Sequence, residues 1–240
     1  MVEQLRCIRM PLTNLKNKNM SHQDFEKYAA EKPFNYSVPE KFEENFNKCL
    51  EDLKLSPSSM KILDFGCGDG KHFHFFIEAG FLPANIYGVE VSQKRVARCR
   101  SIGWEKSYFI ENDKLPFTDD EFDIVNMAEV IEHIPVEKIE KIFSELVRVT
   151  KKNGRVIITT PNYPIKRFYD LAASIFLRSW KRIKDDPTHV NLFSVKKLRY
   201  FLGKYFDSVE IVPYKTGFLY KKCKKDFFLH KMLAICYTKK

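Results

Sequence analysis

From residue 60 onward the chain alternates short apolar runs with amphipathic stretches. The runs 61–65, 85–91, 107–110, 122–127 and 155–160 are rich in branched and aromatic residues and read as strands. The segments 70–80, 92–102 and 135–150 between them repeat their apolar residues at helical spacing. Strands that alternate with helices imply a parallel sheet covered on both faces. Asn153-Gly154 is expected to end the long helix and turn the chain into the fifth strand. Two late runs, 205–212 and 233–238, have no helix of crossover length between them, which predicts a terminal antiparallel hairpin. The expected fold is therefore an α/β three-layer sandwich around a mostly parallel, seven-stranded sheet.

Ahead of this core, Phe25, Tyr28 and Ala29 give one short helical face. Phe42, Phe46, Cys49, Leu50 and Leu53 give a second after Pro39, and the turn residues 56–59 close the section. The expected division is an N-terminal helical extension over 1–59, acting as a lid, and a main domain over 60–240 with a substrate-side insertion at 161–187.

Composition narrows the class. An apolar content of 44% in 240 residues excludes a chain disordered throughout. Six cysteines stand scattered, without a Cys-x-x-Cys pair, and read as reduced thiols. The first twenty residues carry charges where a leader needs an apolar stretch, and no run is long enough to span a bilayer, so a soluble, cytoplasmic protein is expected. The net charge of +10 favours acidic partners such as RNA, phosphorylated metabolites or an anionic membrane surface, equally with two solvated basic faces at 166–184 and 215–225.

The chemistry concentrates where the first strand runs into Gly66-Cys67-Gly68-Asp69-Gly70. Glycines at 66, 68 and 70 let the backbone turn sharply and approach a nucleotide-like ligand. The spacing is Gly-x-Gly-x-Gly, not the dinucleotide Gly-x-Gly-x-x-Gly, and Asp64 ahead of it sits poorly beside a pyrophosphate. A sulfonium cofactor, cationic and free of phosphate, tolerates such acids. Glu90, ending the second strand, stands where a carboxylate accepts ribose hydroxyls as a bidentate pair.

With LDFGCGDG, YGVEVS, LPFTDDEFDIV, EVIEHI and VTKKNGRVIITTP in this order, residues 60–160 resemble the class I S-adenosylmethionine-dependent methyltransferases, whose fold is Rossmann-like. The resemblance implies Asp64 and Gly66 beside the methionine moiety, Glu90 on the ribose, Glu111, Asn112 and Asp113 at the adenine, and Met127, Ala128 and Glu129 behind the sulfonium. Cys67, Gly68, Gly70 and Val91 complete the implied cofactor-binding set.

Glu129, Glu132 and His133 follow the fourth strand, where open α/β sheets place ligands, and they share a face if that segment is helical. His189 is a fourth group able to converge on them. The set is similar to that of small-RNA 2′-O-methyltransferases and, more loosely, of ubiquinone-pathway O-methyltransferases. That resemblance implies a divalent cation, magnesium, manganese, iron or zinc, held by Glu129, Glu132, His133 and His189. Without a metal, His133 or His189 is the candidate base and Glu132 its orienting partner. His72 and His74 have no partner in helical register and read as structural or exposed.

Tyr28, Phe34, Tyr36, Tyr163, Phe168, Tyr169, Phe176 and Trp180 are candidates for a lid over the acceptor, with core packing the more ordinary role for such residues. The stretch 165–183, apolar and edged by lysine and arginine, suits a membrane surface or RNA phosphates. The leading expectation is O-methylation of a small-molecule, lipid-like or sugar acceptor; RNA 2′-O-methylation with a divalent metal and an NAD(P)-dependent oxidoreductase are the alternatives.

Overall fold

The computed structural model describes residues 26, 38–111, 113–163, 165–176, 188–216, 225 and 229–238. The helical face at Phe25, Tyr28 and Ala29, Asn112, the candidate aromatics Phe34, Tyr36 and Trp180, and the insertion from 177 to 187 lie outside them.

In chain order the elements are α1 (Glu40–Leu53), β1 (Ile62–Phe65), α2 (Phe73–Glu78), β2 (Ile86–Glu90), α3 (Gln93–Ser101), β3 (Ser107–Phe109), β4 (Phe122–Ala128), α4 (Val136–Val149), β5 (Thr150–Pro161), α5 (Ile165–Phe176), α6 (Val195–Leu202), β6 (Ser208–Thr216) and β7 (Leu229–Tyr237). The sheet order is β3-β2-β1-β4-β5-β7-β6. Strands β1 to β5 run parallel, and β7 pairs antiparallel with both β5 and β6. This is the seven-stranded sandwich with a terminal hairpin that the alternation implied.

The period-two alternation of each strand divides the core into two apolar layers. Leu63, Val89, Val125, Met127, Val156 and Ile158 face α4 and α6, meeting Ile139, Phe143, Leu146 and Leu198. Ile62, Ile86, Ile124 and Ile157 face the other way, onto Phe42, Phe46, Phe73, Phe76 and Trp104. Helix α1 starts directly after the extended Pro39, with Glu40 and Glu43 in its first turn, and buries Phe42, Phe46, Cys49 and Leu50. Its apolar stripe thus belongs to the sheet's second layer.

One expectation is corrected. Asn153-Gly154 does not end the long helix: α4 stops at Val149, and β5 begins at Thr150. The turn-forming pair instead sits inside the strand at an irregularity, where pairing with β4 jumps from Phe122↔Thr150 to Ile124↔Arg155 and Asn153 adopts a φ of 64°. Helix α6, capped by the Ser194 hydroxyl accepting from the Lys197 N–H, was not foreseen, being only eight residues long. Among the described residues no helix is long and apolar enough to cross a membrane.

Candidate active site

The parallel strands all end on one side, and the loops leaving β1, β2 and β4 meet there. Gly66, Gly68 and Gly70 carry φ values of 74°, 57° and 84°, left-handed conformations that L side chains rarely adopt. The Gly66 and Cys67 N–H groups both donate to the Val89 carbonyl, at 2.8 and 3.0 Å, which folds the loop over the tip of β2. A Cβ on Gly66 would stand 2.5 Å from Val130 Cγ2, so the glycine is where the loop after β4 packs onto the loop after β1. Gly66→Ala is expected to cost about 2–3 kcal/mol in urea unfolding, from backbone strain and the displaced Val130. Wild-type stability in that variant would show that the two loops do not bear on each other. Cys67 is buried with its thiol 3.9 Å from that of Cys99, so only its main chain belongs to the loop surface; Cys49, Cys67, Cys99 and Cys236 are all free thiols.

Glu90 does more than stand at a strand tip. One carboxylate oxygen accepts from the N–H groups of Val91 (2.8 Å) and Ser92 (3.1 Å), and the other from Gly68 (2.9 Å). Burial pushes its carboxyl above the usual range, opposed by Arg95 and by these three donors. With about four lone-pair sites on a carboxylate, three go to the main chain, which leaves about one for a ligand hydroxyl rather than a bidentate pair.

Asp64 is buried at the end of β1, facing Asn126 of β4 across the register Asp64↔Asn126. The Asn126 amide donates to it at 2.7 Å, and His72 Nδ1 lies 3.3 Å from its other oxygen. Asn126 Oδ1 is buried without a hydrogen-bond partner. His72 was expected to be structural or exposed, and it is buried; its partners come from two neighbouring strands, which helical register does not reveal. His74 is exposed.

At the expected adenine position Glu111 is exposed, and Asp113 pairs with Lys138 of α4 at 3.2 Å. Met127 points into the core layer and Ala128 closes β4. Glu129 then takes a φ of 58°, so the segment after β4 does not start as an α-helix; a single 3₁₀ turn, Ile131–His133, follows Val130. The helical face expected for Glu129, Glu132 and His133 is therefore replaced. Glu129 is held elsewhere, accepting from the Thr159 hydroxyl at 3.1 Å and pairing closely with Lys231 of β7.

The other three groups do converge. Glu132, His133 and His189 offer ligand atoms that all lie within 4.8 Å of one another. The Glu132 main-chain carbonyl accepts from the Val190 and Asn191 N–H groups, at 2.9 and 3.0 Å, which pins the loop carrying His189 against the 3₁₀ turn. The two imidazole rings meet edge to face at 4.7 Å. Glu132 is 1% exposed; one oxygen accepts from the Thr160 hydroxyl at 3.1 Å, and Oε1 is buried with no partner. Burial, reinforced by the charge of Glu129, pushes its carboxyl up to about 8. His133 Nδ1 is 3.1 Å from the Thr188 carbonyl and 2.8 Å from the Thr188 hydroxyl. A carbonyl only accepts, so this contact favours the tautomer with its proton on Nδ1 and Nε2 as the proton acceptor. Tyr163, buried rather than part of a lid, shares a 2.8 Å hydrogen bond with His189 Nδ1. Among the other lid candidates Phe168 is exposed and Tyr169 half-buried.

Residues 63–158 match the family of the methyltransferase domain. An uncharacterized methyltransferase of Synechocystis is 26% identical over 153 residues, 60% of this chain and 70% of its own length. The ubiquinone biosynthesis O-methyltransferase of Rickettsia conorii is 26% identical over 200 residues, 81% of this chain and 65% of its own. A SAM-dependent methyltransferase from Archaeoglobus fulgidus has the same fold, with a TM-score of 0.58 at 19% identity over 82% of this chain and 94% of that one. Two sterol 24-C-methyltransferases are matched over only 26% and 28% of their own length.

Proposed function

We propose that this class I S-adenosylmethionine-dependent methyltransferase transfers the methyl group to the hydroxyl oxygen of a small-molecule acceptor, with Glu132, His133 and His189 as the acceptor site. The observation that carries the reading is the buried, unpartnered Glu132 Oε1 lying among two histidines, two residues beyond the Val130 that packs on the glycine loop.

The cofactor site fits its ligand. The left-handed glycine turn offers bare main chain, with space at Gly68 whose nearest neighbour to an added Cβ is Arg95 at 3.5 Å. Glu90 keeps a lone pair for a ribose hydroxyl, and the Asp64–Asn126 pair presents a carboxylate and an orphan amide oxygen, acceptors suited to the cationic methionine amino group. The cofactor supplies the methyl on a sulfonium, a leaving group that needs no protonation. What remains for the chain is to hold the acceptor oxygen in line, keep out water and take one proton. His133 Nε2 receives that proton, and the rise in charge on the imidazole is met by Glu132 beside it in its ionised form, above about pH 8. The Glu132, His133 and His189 donor set also fits a divalent cation, which would lower the hydroxyl's pKa at the same place. Similarity to an O-methyltransferase over 81% of the chain supports oxygen as the acceptor atom.

The test uses labelled S-adenosylmethionine with panels of phenols, alcohols, sugars and a short RNA. His133→Ala is expected to lower transfer to the best hydroxyl acceptor by about 10²- to 10⁴-fold while leaving calorimetric affinity for S-adenosylhomocysteine within a few-fold. Label on nitrogen or carbon, or full turnover in the variant, would overturn the assignment. Turnover unchanged by excess chelator would remove the cation from the account, and label on RNA alone would replace the small molecule.

A further inference from the structure

Arg95 stands at the wrong end of its helix. Ser92 caps α3 by accepting the Arg95 N–H at 3.3 Å, which makes Arg95 the third residue of the helix. That is the position where a capping box carries glutamate or glutamine, and a cation in a first turn opposes the helix dipole. The first turn of α3 nevertheless holds no acid, only Lys94 and Arg95. Lys94 is exposed, but the Arg95 side chain is 21% exposed and turns back, as helical side chains do, towards the strand before the helix. Its Nη1 lies 4.0 Å from Glu90 Oε2 and 3.5 Å from where a Cβ on Gly68 would stand. The same Oε2 accepts from the Gly68 N–H at 2.9 Å. The guanidinium therefore lies over the contact between the strand tip and the glycine loop, as a charge partner rather than a hydrogen-bond donor.

Charge matters at this contact because Glu90 is 6% exposed and three main-chain donors face its two oxygens. A protonated carboxyl would set its own O–H against one of those donors. Burial pushes the Glu90 carboxyl up, and Arg95 is the charge that pulls it down. The other ionisable groups on the surrounding elements do not replace it. Arg98 is paired with Asp69 at 2.8 Å, Cys99 and burial hold the Cys67 thiol neutral, and Glu26, whose carboxylate accepts the Gln93 N–H, is itself an acid. We infer that Arg95 is a positioning residue of the cofactor site: its charge, laid against Glu90 and Gly68, keeps the carboxylate in the form that braces the glycine loop. The inference rests on the reading of Glu90 and the loop as the S-adenosylmethionine site.

Calorimetry of the full chain with S-adenosylhomocysteine, between about pH 5.5 and 8.5, reads this role through the pH profile of affinity. The ionised carboxylate is the binding form, so affinity is full at high pH and falls as pH drops through the Glu90 pKa. An opposite charge this close shifts a carboxyl by about one unit, so in Arg95→Met the fall begins about one unit higher. Affinity then stays within about threefold of wild type at about pH 8.5 and is about 10-fold weaker at the acid end. Arg95→Lys keeps the charge and follows the wild-type profile. The His72–Asp64 pair is present in every variant and cancels in the comparison. In the Glu90→Gln chain, which has no carboxyl to titrate, adding Arg95→Met changes affinity by one factor at every pH. The inference is overturned if Arg95→Met leaves binding unchanged or weakens it equally at all pH values, since the side chain then only packs on the loop. It is overturned equally if Arg95→Lys moves the profile as far as methionine does. Should Arg95→Met fail to fold, Arg95→Gln against Arg95→Lys makes the same comparison. Failure of the wild-type chain to bind S-adenosylhomocysteine at any pH would instead refute the reading of the loop.

Discussion

Glu90→Gln is expected to weaken S-adenosylhomocysteine by about 100-fold or more and to lower the unfolding free energy by about 2–4 kcal/mol. The change removes one oxygen and a charge, but its main effect is one of valence. Both carboxylate oxygens are in use as acceptors, one for Val91 and Ser92 and the other for Gly68. A glutamine has one acceptor oxygen and one NH₂ group, so whichever way it is placed a donor faces a main-chain donor. With the NH₂ towards Gly68, the glycine loop loses one of its three ties to β2, keeping those of Gly66 and Cys67 to the Val89 carbonyl. With the NH₂ towards Val91 and Ser92, the turn that starts α3 loses two bonds, and the Ser92 hydroxyl that accepts from Arg95 at 3.3 Å moves with it. Neutralising a buried carboxylate does relieve some desolvation, which is what pushes Glu90 upward in the wild type, yet three charge-assisted donors outweigh that relief. Calorimetry and urea unfolding on the same preparation check both numbers. A variant with wild-type affinity would show that Glu90 only trims the end of β2.

The role of Glu90 as a brace for the loop, and not only a ligand contact, shows where sequence reading reaches and where it stops. The apolar run Ile62–Phe65 followed by three glycines identifies a strand and a ligand-binding turn from local chemistry alone. The parallel direction of the first five strands follows from the alternation, because parallel neighbours need a crossover. What sequence does not hold is the lateral register. His72 has no partner along its own helix, and it finds Asp64 and Asn126 only because β1 and β4 lie side by side with those residues opposed. Turn chemistry misleads in the same way at Asn153-Gly154, where residues suited to ending a helix serve a strand irregularity imposed by pairing with β4. Glu129 is the clearest instance. Its spacing from Glu132 and His133 is helical, but the Thr159 carbonyl accepts its N–H at 2.9 Å and continues the sheet one residue further, so the chain must bend through a left-handed conformation before the 3₁₀ turn. All four candidate ligands were legible as residues; which three of them meet depended on that bend. Tyr163, singled out only as a lid candidate, and Thr188, which carries no sequence signal beyond lying next to His189, fix the two histidines.

Glu132→Gln should separate a structural role from a chemical one most sharply, through pH. In protein treated with chelator, the wild-type carboxyl holds its proton up to about 8 in the folded chain, against about 4.5 in the unfolded one. Between these values the folded state binds a proton that the unfolded state does not, so stability is present in full below the lower value and is lost as pH rises through the upper. The loss approaches about 1.4 kcal/mol per pH unit inside the window, a few kcal/mol in all, because one pKa unit on a buried group corresponds to that much free energy. Glutamine has no proton to lose, and its carbonyl still accepts from the Thr160 hydroxyl while its NH₂ occupies the place of the unpartnered Oε1. The variant should therefore match wild type near pH 5, exceed it by a few kcal/mol at pH 8.5, and show a correspondingly shallower slope between them. Turnover compared at pH 8.5, where the wild-type carboxyl is ionised, should move the other way, falling about 10²-fold or more with affinity for S-adenosylhomocysteine unchanged, because a neutral amide neither meets the charge that forms on His133 nor serves a cation as a ligand. Urea unfolding at several pH values reads the first effect and labelled methyl transfer the second. If wild type and variant show the same slope across this window, Glu132 is not held as a buried acid; if the variant turns over at the wild-type rate, its carboxylate takes no part in the reaction.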